Sequence, residues 1–448
     1  MASDTDVIVI GGGGAGLVAA LSAAESGKQV LLIEKTRKLG GHTVNTQGMF
    51  PASATRFQRN HDIVDTPEDM TRDILEENSN AVPEEVVINL ARKSGMVAEW
   101  LSDYCGVPLD VVTDFKYHGF SNFRIHAPPT RSGREVINVL MSKAYVLPNL
   151  DIAMGHTVSR IRVDLNGEAT GVELDRSGEI VSTNAIIIAT GGYGANRELV
   201  EKYMPDAAKM LYFGSSDHRG EAVLWSDDIG AEVDYLDSYQ AHSSVSSVGT
   251  LITWETVMKG AIIVNSLGSR FADENTGYSK FAKYIVAQPG SVAFEIYTGN
   301  VHEEMMAIYE EYRDTYNLGG IKKFDSIDQV SVFIGCEATT LEKTIGQVNE
   351  HYQSGEKDKF GRDFFIELGK PYYIARITPA LFHTQGGLKV NHEGRVILKG
   401  GQTSKNVFAV GDAIAGITGH GPDGYVSGAG LLCAFVYGYL AGKASIRL

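Results

Sequence analysis

The sequence predicts an α/β fold: a Rossmann-like dinucleotide-binding domain on a parallel sheet, with an α+β cap domain inserted into it. Three observations carry that expectation. Near the start, Asp6-Val-Ile-Val-Ile10 runs into Gly11-Gly-Gly-Gly-Ala-Gly16, and Glu34 closes the next apolar run, Val30–Ile33. Far downstream, Ala185-Ile-Ile-Ile-Ala-Thr-Gly-Gly192 and Asn406-Val-Phe-Ala-Val-Gly-Asp412 repeat the form of a short buried strand ending in a turn. Between those two segments the chain becomes rich in Tyr, Phe and charged helical stretches such as His302–Tyr312.

The first element reads as strand, glycine turn, helix and second strand. Gly11 allows the turn, Gly13 lets the backbone approach a pyrophosphate, and Gly16 lets the helix pack closely on the strand. Gly14 and Ala15 complete the loop, and the helix N-terminus offers unpaired N–H groups to phosphates. Glu34 can accept hydrogen bonds from both ribose hydroxyls and disfavours a 2′-phosphate; Lys35 follows it as a further cofactor contact. Residues from Thr66 to about Tyr104 read as helices, the clearest opening at Pro83-Glu-Glu with apolar residues at helical spacing after it. Residues 158–190 alternate as a small antiparallel meander with Asn166-Gly167 and Ser177-Gly178 turns, leading into the buried strand. The expected organisation is residues 1–237 as the first part of the cofactor domain, 238–383 as the inserted cap, and 384–448 as its second part.

Composition narrows the partners. At 448 residues the chain exceeds one typical core. A net charge of −15 argues against nucleic acid and against an anionic membrane surface, and no apolar run reaches membrane-spanning length. Cys105, Cys336 and Cys433 are too few and too widely spaced for a disulfide framework or metal cluster. No metal is expected. Because the first strand starts at Asp6, no room is expected ahead of it for a cleavable leader, and the expected location is cytoplasmic.

The pair of later strand–turn segments is what FAD-binding proteins of the two-dinucleotide-domain type carry, so FAD is the expected cofactor. Ala189, Thr190, Gly191 and Gly411 belong to those turns, and Asp412 looks like the acid that holds the ribityl chain. Five stretches, Gly11–Gly16, Gly40-Gly-His-Thr-Val-Asn-Thr-Gln-Gly48, Lys259–Glu274, His383-Thr-Gln-Gly-Gly387 and Gly411-Asp412 followed by Tyr425-Val-Ser-Gly-Ala-Gly430, carry a wider likeness. Over nearly its whole length the chain resembles the superfamily of flavocytochrome c fumarate reductases, succinate dehydrogenases and 3-ketosteroid dehydrogenases. That resemblance implies an FAD domain and a cap domain that close on a substrate over the flavin, with hydride passing between substrate carbon and flavin N5. It also implies flavin contacts from Gly41, His42, Thr43, Gln47, Gly48 and Gly428.

Departures within the resemblance select the chemistry. Fumarate reductases place arginines where this chain has Tyr278 and Tyr425. A guanidinium grips a carboxylate bidentately and a phenol cannot replace it, whereas a phenol suits a ketone oxygen. The same two positions match the ketosteroid dehydrogenases, and Tyr425-Val-Ser427-Gly resembles the tyrosine-x-serine-glycine segment of the Δ4-type enzymes. His242 and His383 instead follow the fumarate-reductase pattern. The expected roles are Tyr425, with a glycine N–H of Gly428–Gly430, as donor to a carbonyl oxygen; Tyr278 as base for the α-proton; and Ser427, His242 and His383 as relays. His42-Thr-Val-x-x-Gln-Gly matches the motif in which succinate dehydrogenases bond a histidine to the flavin 8α-methyl group. A histidine merely touching the dimethylbenzene edge is the alternative.

The expected function is therefore an FAD-dependent dehydrogenase that introduces a C=C bond next to a ketone of a cyclic or steroid-like substrate. Two alternatives stay open: an enoate or enone reductase of the fumarate or urocanate reductase type, and a flavoprotein electron-transfer subunit of a larger complex. The expected partners are a small-molecule ketone or enone and an electron acceptor that the sequence does not identify.

Overall fold

The structure is a computed structural model and describes residues 5–164, 167–175, 177–364 and 366–447; Asn166 of the expected Asn-Gly turn lies outside them. The chain divides into two compact units. The first comprises residues 1–205, 214–239 and 383–448, and the second comprises residues 206–213 and 240–382.

The first unit opens with β1 (Thr5–Ile10), α1 (Gly14–Ala24) and β2 (Val30–Glu34). Val and Ile dominate β1, as suits a strand covered on both faces, and Val7, Ile8 and Val9 are fully buried. In α1, every residue but Ala15 is buried, and its one polar side chain, Ser22, donates to Tyr439 O at 2.8 Å. The expected helices follow as α2 (Pro67–Glu77) and α3 (Glu84–Asp103). Thr66 caps α2 by accepting from Asp69 N at 3.0 Å, with proline opening the helix. After α4 (Gly133–Tyr145), β3 (Leu150–Met154) pairs in parallel with β2. The meander is β4 (Val158–Val163), β5 (Ala169–Leu174) and β6 (Ile180–Ile188). Its last strand and the buried strand are one: Ile180–Ser182 runs antiparallel to β5, while Ala185–Ile188 runs parallel to β1.

In the second unit come β7 (Leu211–Tyr212), β8 (Tyr239–Ser246), β9 (Ile262–Val264), α5 (Tyr278–Val286), β10 (Ala293–Thr298) and β11 (Ile321–Phe324). They are followed by α6 (Ile327–Ile334), α7 (Ala338–Ser354) and β12 (Tyr372–Thr384). The long β12 is the spine of this sheet and pairs with β7, β8, β10 and β11. Ile262, Ile296 and Ile374 from the sheet pack with Val330, Leu341 and Val348 from α6 and α7. One helical stretch of the sequence is broken. Residues 299–308 and 310–317 form separate helices because Tyr309 adopts extended geometry (φ −103°, ψ 118°). Its buried phenol donates to Glu255 Oε2 at 2.5 Å.

The chain returns to the first unit with β13 (Arg395–Ile397), β14 (Thr403–Ala409) and α8 (Ala429–Ser445). The first sheet then runs β13-β14-β6-β1-β2-β3, with β4 and β5 branching from β6. Two glycines set the approach of α8 to α1. A Cβ on Gly438 would sit 2.8 Å from Ala15 O, and one on Gly442 2.5 Å from Ala19 O. A Cβ on Gly411 would likewise meet Ala15 Cβ at 2.8 Å, so the Gly411-Asp412 turn lies against the first turn of α1.

Candidate active site

The glycine loop is built for close backbone approach. Gly11 has φ +109°, and a Cβ on Gly16 would stand 1.9 Å from Gly11 O; α1 can begin on β1 only with glycine there. Gly13 is different, because its Cβ position is open, with no neighbouring heavy atom nearer than 3.8 Å. It also precedes a helix without a side-chain cap. The Gly40-Gly41 turn packs on the loop through Gly40 N donating to Gly12 O at 2.8 Å, and Thr43 Oγ1 accepts from Gly14 N at 3.3 Å. Glu34 accepts from Gly12 N and Thr36 N, each at 2.8 Å and each on a different oxygen. A carboxylate has further lone pairs, so both oxygens remain able to receive ribose hydroxyls. Lys35 points its ammonium at the Asp217 carbonyl and at Glu221, 2.5 Å away; its visible partners are protein groups.

Three histidines and one aspartate gather in the same unit. The His42 ring lies 6.1 Å from His218 and 5.8 Å from His383, and His383 Nδ1 is 3.0 Å from Asp412 Oδ1. Burial, reinforced by the neighbouring His383 and His218, pushes His42 down to about 3. Burial likewise lowers His218. Burial alone would raise Asp412, but His383, His218 and His42 outweigh it and hold the carboxyl below its ordinary value. Gln385 Nε2 lies 3.1 Å from the same His383 nitrogen. One nitrogen cannot both donate to Asp412 and accept from an amide N–H. The ionised carboxylate takes the hydrogen, and the Gln385 amide oxygen accepts from Thr418 Oγ1 at 3.1 Å. The Tyr425 ring stands edge-on to His383 at 6.1 Å, Tyr425 is half-buried, and Ser427 is buried on the same segment.

Thr190 Oγ1, in the turn after β6, and His218 Nδ1 are buried without a hydrogen-bond partner. They adjoin: a Cβ on Gly191 would lie 2.5 Å from His218 Nε2. Unsatisfied buried polar atoms are costly and call for a partner. With the open Gly13 position, the uncapped helix terminus and the available Glu34, they suit a dinucleotide bearing a polar ring system.

The second unit supplies a different surface. Tyr278 opens α5, and its ring stacks on His242 at 4.6 Å and 23°. Trp254 stands edge-on to His242 at 6.1 Å, and Phe382 lies 5.3 Å from the same imidazole. Burial pushes His242 down to about 3, so the ring is neutral at any ordinary pH. Its Nδ1 accepts from Ser244 N at 3.1 Å, which leaves the hydrogen on Nε2. A relay must pass a proton through both nitrogens, and Nδ1 is occupied. The geometry makes His242 a hydrogen-bond donor, not the relay expected from sequence.

The Arg-Phe-Ala-Asp-Glu segment that ends at Glu274 holds this unit together. Arg270 Nε and Nη2 donate to the two Glu274 oxygens at 2.9 and 2.6 Å, and Nη1 donates to Asp358. The fully buried Arg362 places Nη1 2.9 Å from Glu274 Oε2 and donates Nη2 to Val257 O and Ala261 O. Behind His242, Ser244 Oγ donates to the buried Glu295 at 2.9 Å. Thr256 Oγ1 contacts both Glu295 and, at 2.8 Å, Thr253 O. A hydroxyl has one hydrogen, so a protonated Glu295 satisfies this geometry. Burial agrees, pushing Glu295 up to about 7 against the lowering by Thr256 and Ser244. A carboxyl raised on folding stabilises fully below its unfolded value, and that contribution is lost as pH rises through the folded value. Stability should fall by on the order of 3 kcal/mol between pH 4.5 and about 7 from this group. Chemical denaturation of Glu295→Gln across that range should show the fall removed; an unchanged pH slope would assign it elsewhere.

The structure thus brings His42, His383, Asp412 and Tyr425 together in one unit and His242 with Tyr278 in the other. It sets Gly48 (φ +66°) against the Ser132 backbone and Gly428 (φ +80°) against Met49 O and Phe50 Cα. Gln47 lies half-buried just after the turn that carries His42, and Ala189 N continues the sheet by donating to Ile10 O at 2.8 Å. Four residues of these clusters, His218, Gln385, Trp254 and Phe382, went unassigned from sequence. Gln385 sits inside the His383–Gly387 segment and was within reach; His218 lies in no motif.

Comparison with known proteins agrees with this architecture. The chain is similar to a probable fumarate reductase of Shewanella frigidimarina, 29% identical over 99% of this chain and 75% of that protein. It is similar to the open conformation of a flavocytochrome c3 fumarate reductase, with a TM-score of 0.81 and 28% identity, over 99% of this chain and 78% of the other. A 3-ketosteroid-Δ4-(5α)-dehydrogenase from Rhodococcus jostii shares the fold, with a TM-score of 0.78 and 21% identity over 100% and 98% of the two chains. The family model of the FAD binding domain matches residues 6–430, and the chain belongs to that family as an FAD-dependent oxidoreductase.

Proposed function

We propose that the enzyme desaturates a cyclic or steroid-like ketone, forming a C=C bond α,β to the carbonyl. The observation that supports this reading is the stack of Tyr278 on the buried His242 at 4.6 Å. The imidazole stacked on it is neutral, and Trp254 and Phe382 complete the contacts of that imidazole. Arg270 and Arg362 of the same unit are committed to Glu274. Such a surface suits a neutral oxo group and not a dicarboxylate. When bound, FAD accepts the β-hydrogen as hydride at N5. Tyr425 donates to the carbonyl oxygen and so acidifies the α-carbon. Tyr278 receives the α-proton, and His242 adds a second donor through Nε2–H. His383, oriented by Asp412 at 3.0 Å, relays a proton leaving the site.

Under anaerobic conditions, saturated monocyclic or steroidal ketones should bleach the visible flavin band of the holoenzyme faster than succinate does. Bleaching by succinate but by no ketone would sink the reading. The reverse direction, enone reduction, draws on the likeness to fumarate reductases. It would show as reoxidation of photoreduced enzyme by enones with no bleaching by ketones. We further propose that His42 carries the FAD covalently, on the strength of its motif and its buried, neutral state.

A further inference from the structure

We infer that His218 is the base that enables covalent attachment of FAD to His42. The inference rests on the covalent reading above and adds a residue outside any flavin motif. Bond formation at a methyl carbon needs a nucleophile and a separate group that removes a methyl proton. His42, neutral and buried, can be the nucleophile. Of the two imidazoles beside it, His383 is tied to Asp412 at 3.0 Å and is already given the substrate's proton. His218 is 9% exposed, and its Nδ1 has no hydrogen-bond partner. Its ring lies 6.1 Å from His42, turned edge-on at 65°. That is edge-to-face contact, so a group lying against one imidazole adjoins the other.

The position of His218 is over-determined. Gly191 must lack a side chain, since a Cβ there would come within 2.5 to 2.8 Å of three atoms of the imidazole. His218 N also donates to Ser215 O at 3.1 Å, and its carbonyl accepts from Ala195 N at 3.0 Å. A buried imidazole held in place with an unspent nitrogen is what proton abstraction requires. In the step, a methyl C–H proton passes to His218 and a bond forms between a His42 nitrogen and that carbon. The His42 ring gives up its N–H proton. The two electrons left on the isoalloxazine are taken by dioxygen, which with the two protons leaves as hydrogen peroxide.

The test is acid precipitation of the full-length holoenzyme, His42→Ala, His218→Gln and His218→Ala, with flavin measured in pellet and supernatant and intact mass recorded. The parent should keep its flavin in the pellet and His42→Ala should release it. His218→Gln should bind FAD in the native state, by its visible absorbance, yet retain it covalently about tenfold less or lower at matched times. Added imidazole should restore attachment in His218→Ala, which a purely structural role would not allow. Release of all flavin by the parent overturns the covalent reading and this inference with it. Retention in the parent with equal retention in His218→Gln overturns this inference alone, as does loss of FAD from both His218 variants that imidazole does not relieve.

Discussion

Tyr278→Phe should slow flavin bleaching by the best ketone by about 10²–10⁴-fold, the usual contribution of a positioned acid–base group. The substitution removes one hydroxyl and keeps the ring, so the stack on His242 at 4.6 Å survives. Binding should be little changed, because the phenol acts on the α-proton and not on the ground state. Anaerobic stopped-flow mixing over a range of ketone concentrations separates the two, and a slower limiting rate at unchanged half-saturation is the expected pattern. Phe bleaching at the parent rate would remove Tyr278 from the chemistry. A phenol with an ordinary value of about 10 is a weak base at neutral pH. The proton transfer in the parent therefore draws on the groups around the phenol, and Tyr278→Phe removes it whatever their state.

Glu274→Ala should cost about 3–5 kcal/mol of stability, the penalty for leaving a buried charge without its partner. Arg362 is fully buried, and Glu274 is the carboxylate beside it. Arg270 would keep Asp358, so the loss falls mainly on Arg362. Burial favours the neutral acid at Glu274, yet Arg362 and Arg270 hold it below its ordinary value. The midpoint of urea denaturation should shift down accordingly, and Arg362→Met combined with Glu274→Ala should recover part of the loss. A shift below about 1 kcal/mol would mean that water or a neighbouring carbonyl satisfies Arg362. The segment is thus more than a signature. It anchors the turn four residues ahead of Tyr278 and so determines where that phenol stands.

Much of this was readable along the chain because it depends on local rules. Gly11, Gly13 and Gly16 announce a tight turn and a close helix through spacing alone, and Glu34 follows at the end of the next strand. The meander at 158–188 is legible because side chains alternate with period two. The helical stretch around Tyr309 breaks where the spacing predicts continuity, at the residue whose phenol reaches the distant carboxylate of Glu255. His242 shows the same limit. Its residue type and motif pointed to proton transfer, but the backbone N–H of Ser244 occupies the nitrogen a relay would need.

Residue order settled the dinucleotide loop, the strand-and-turn grammar of an FAD-binding fold and the tyrosines standing at two motif positions, since those are matters of spacing and residue type. Only folding brought His218 beside His42, and only folding buried Glu295 behind Ser244. Proton affinity and hydrogen-bond occupancy are properties of neighbours in space, and those neighbours lie tens to hundreds of residues away along the chain.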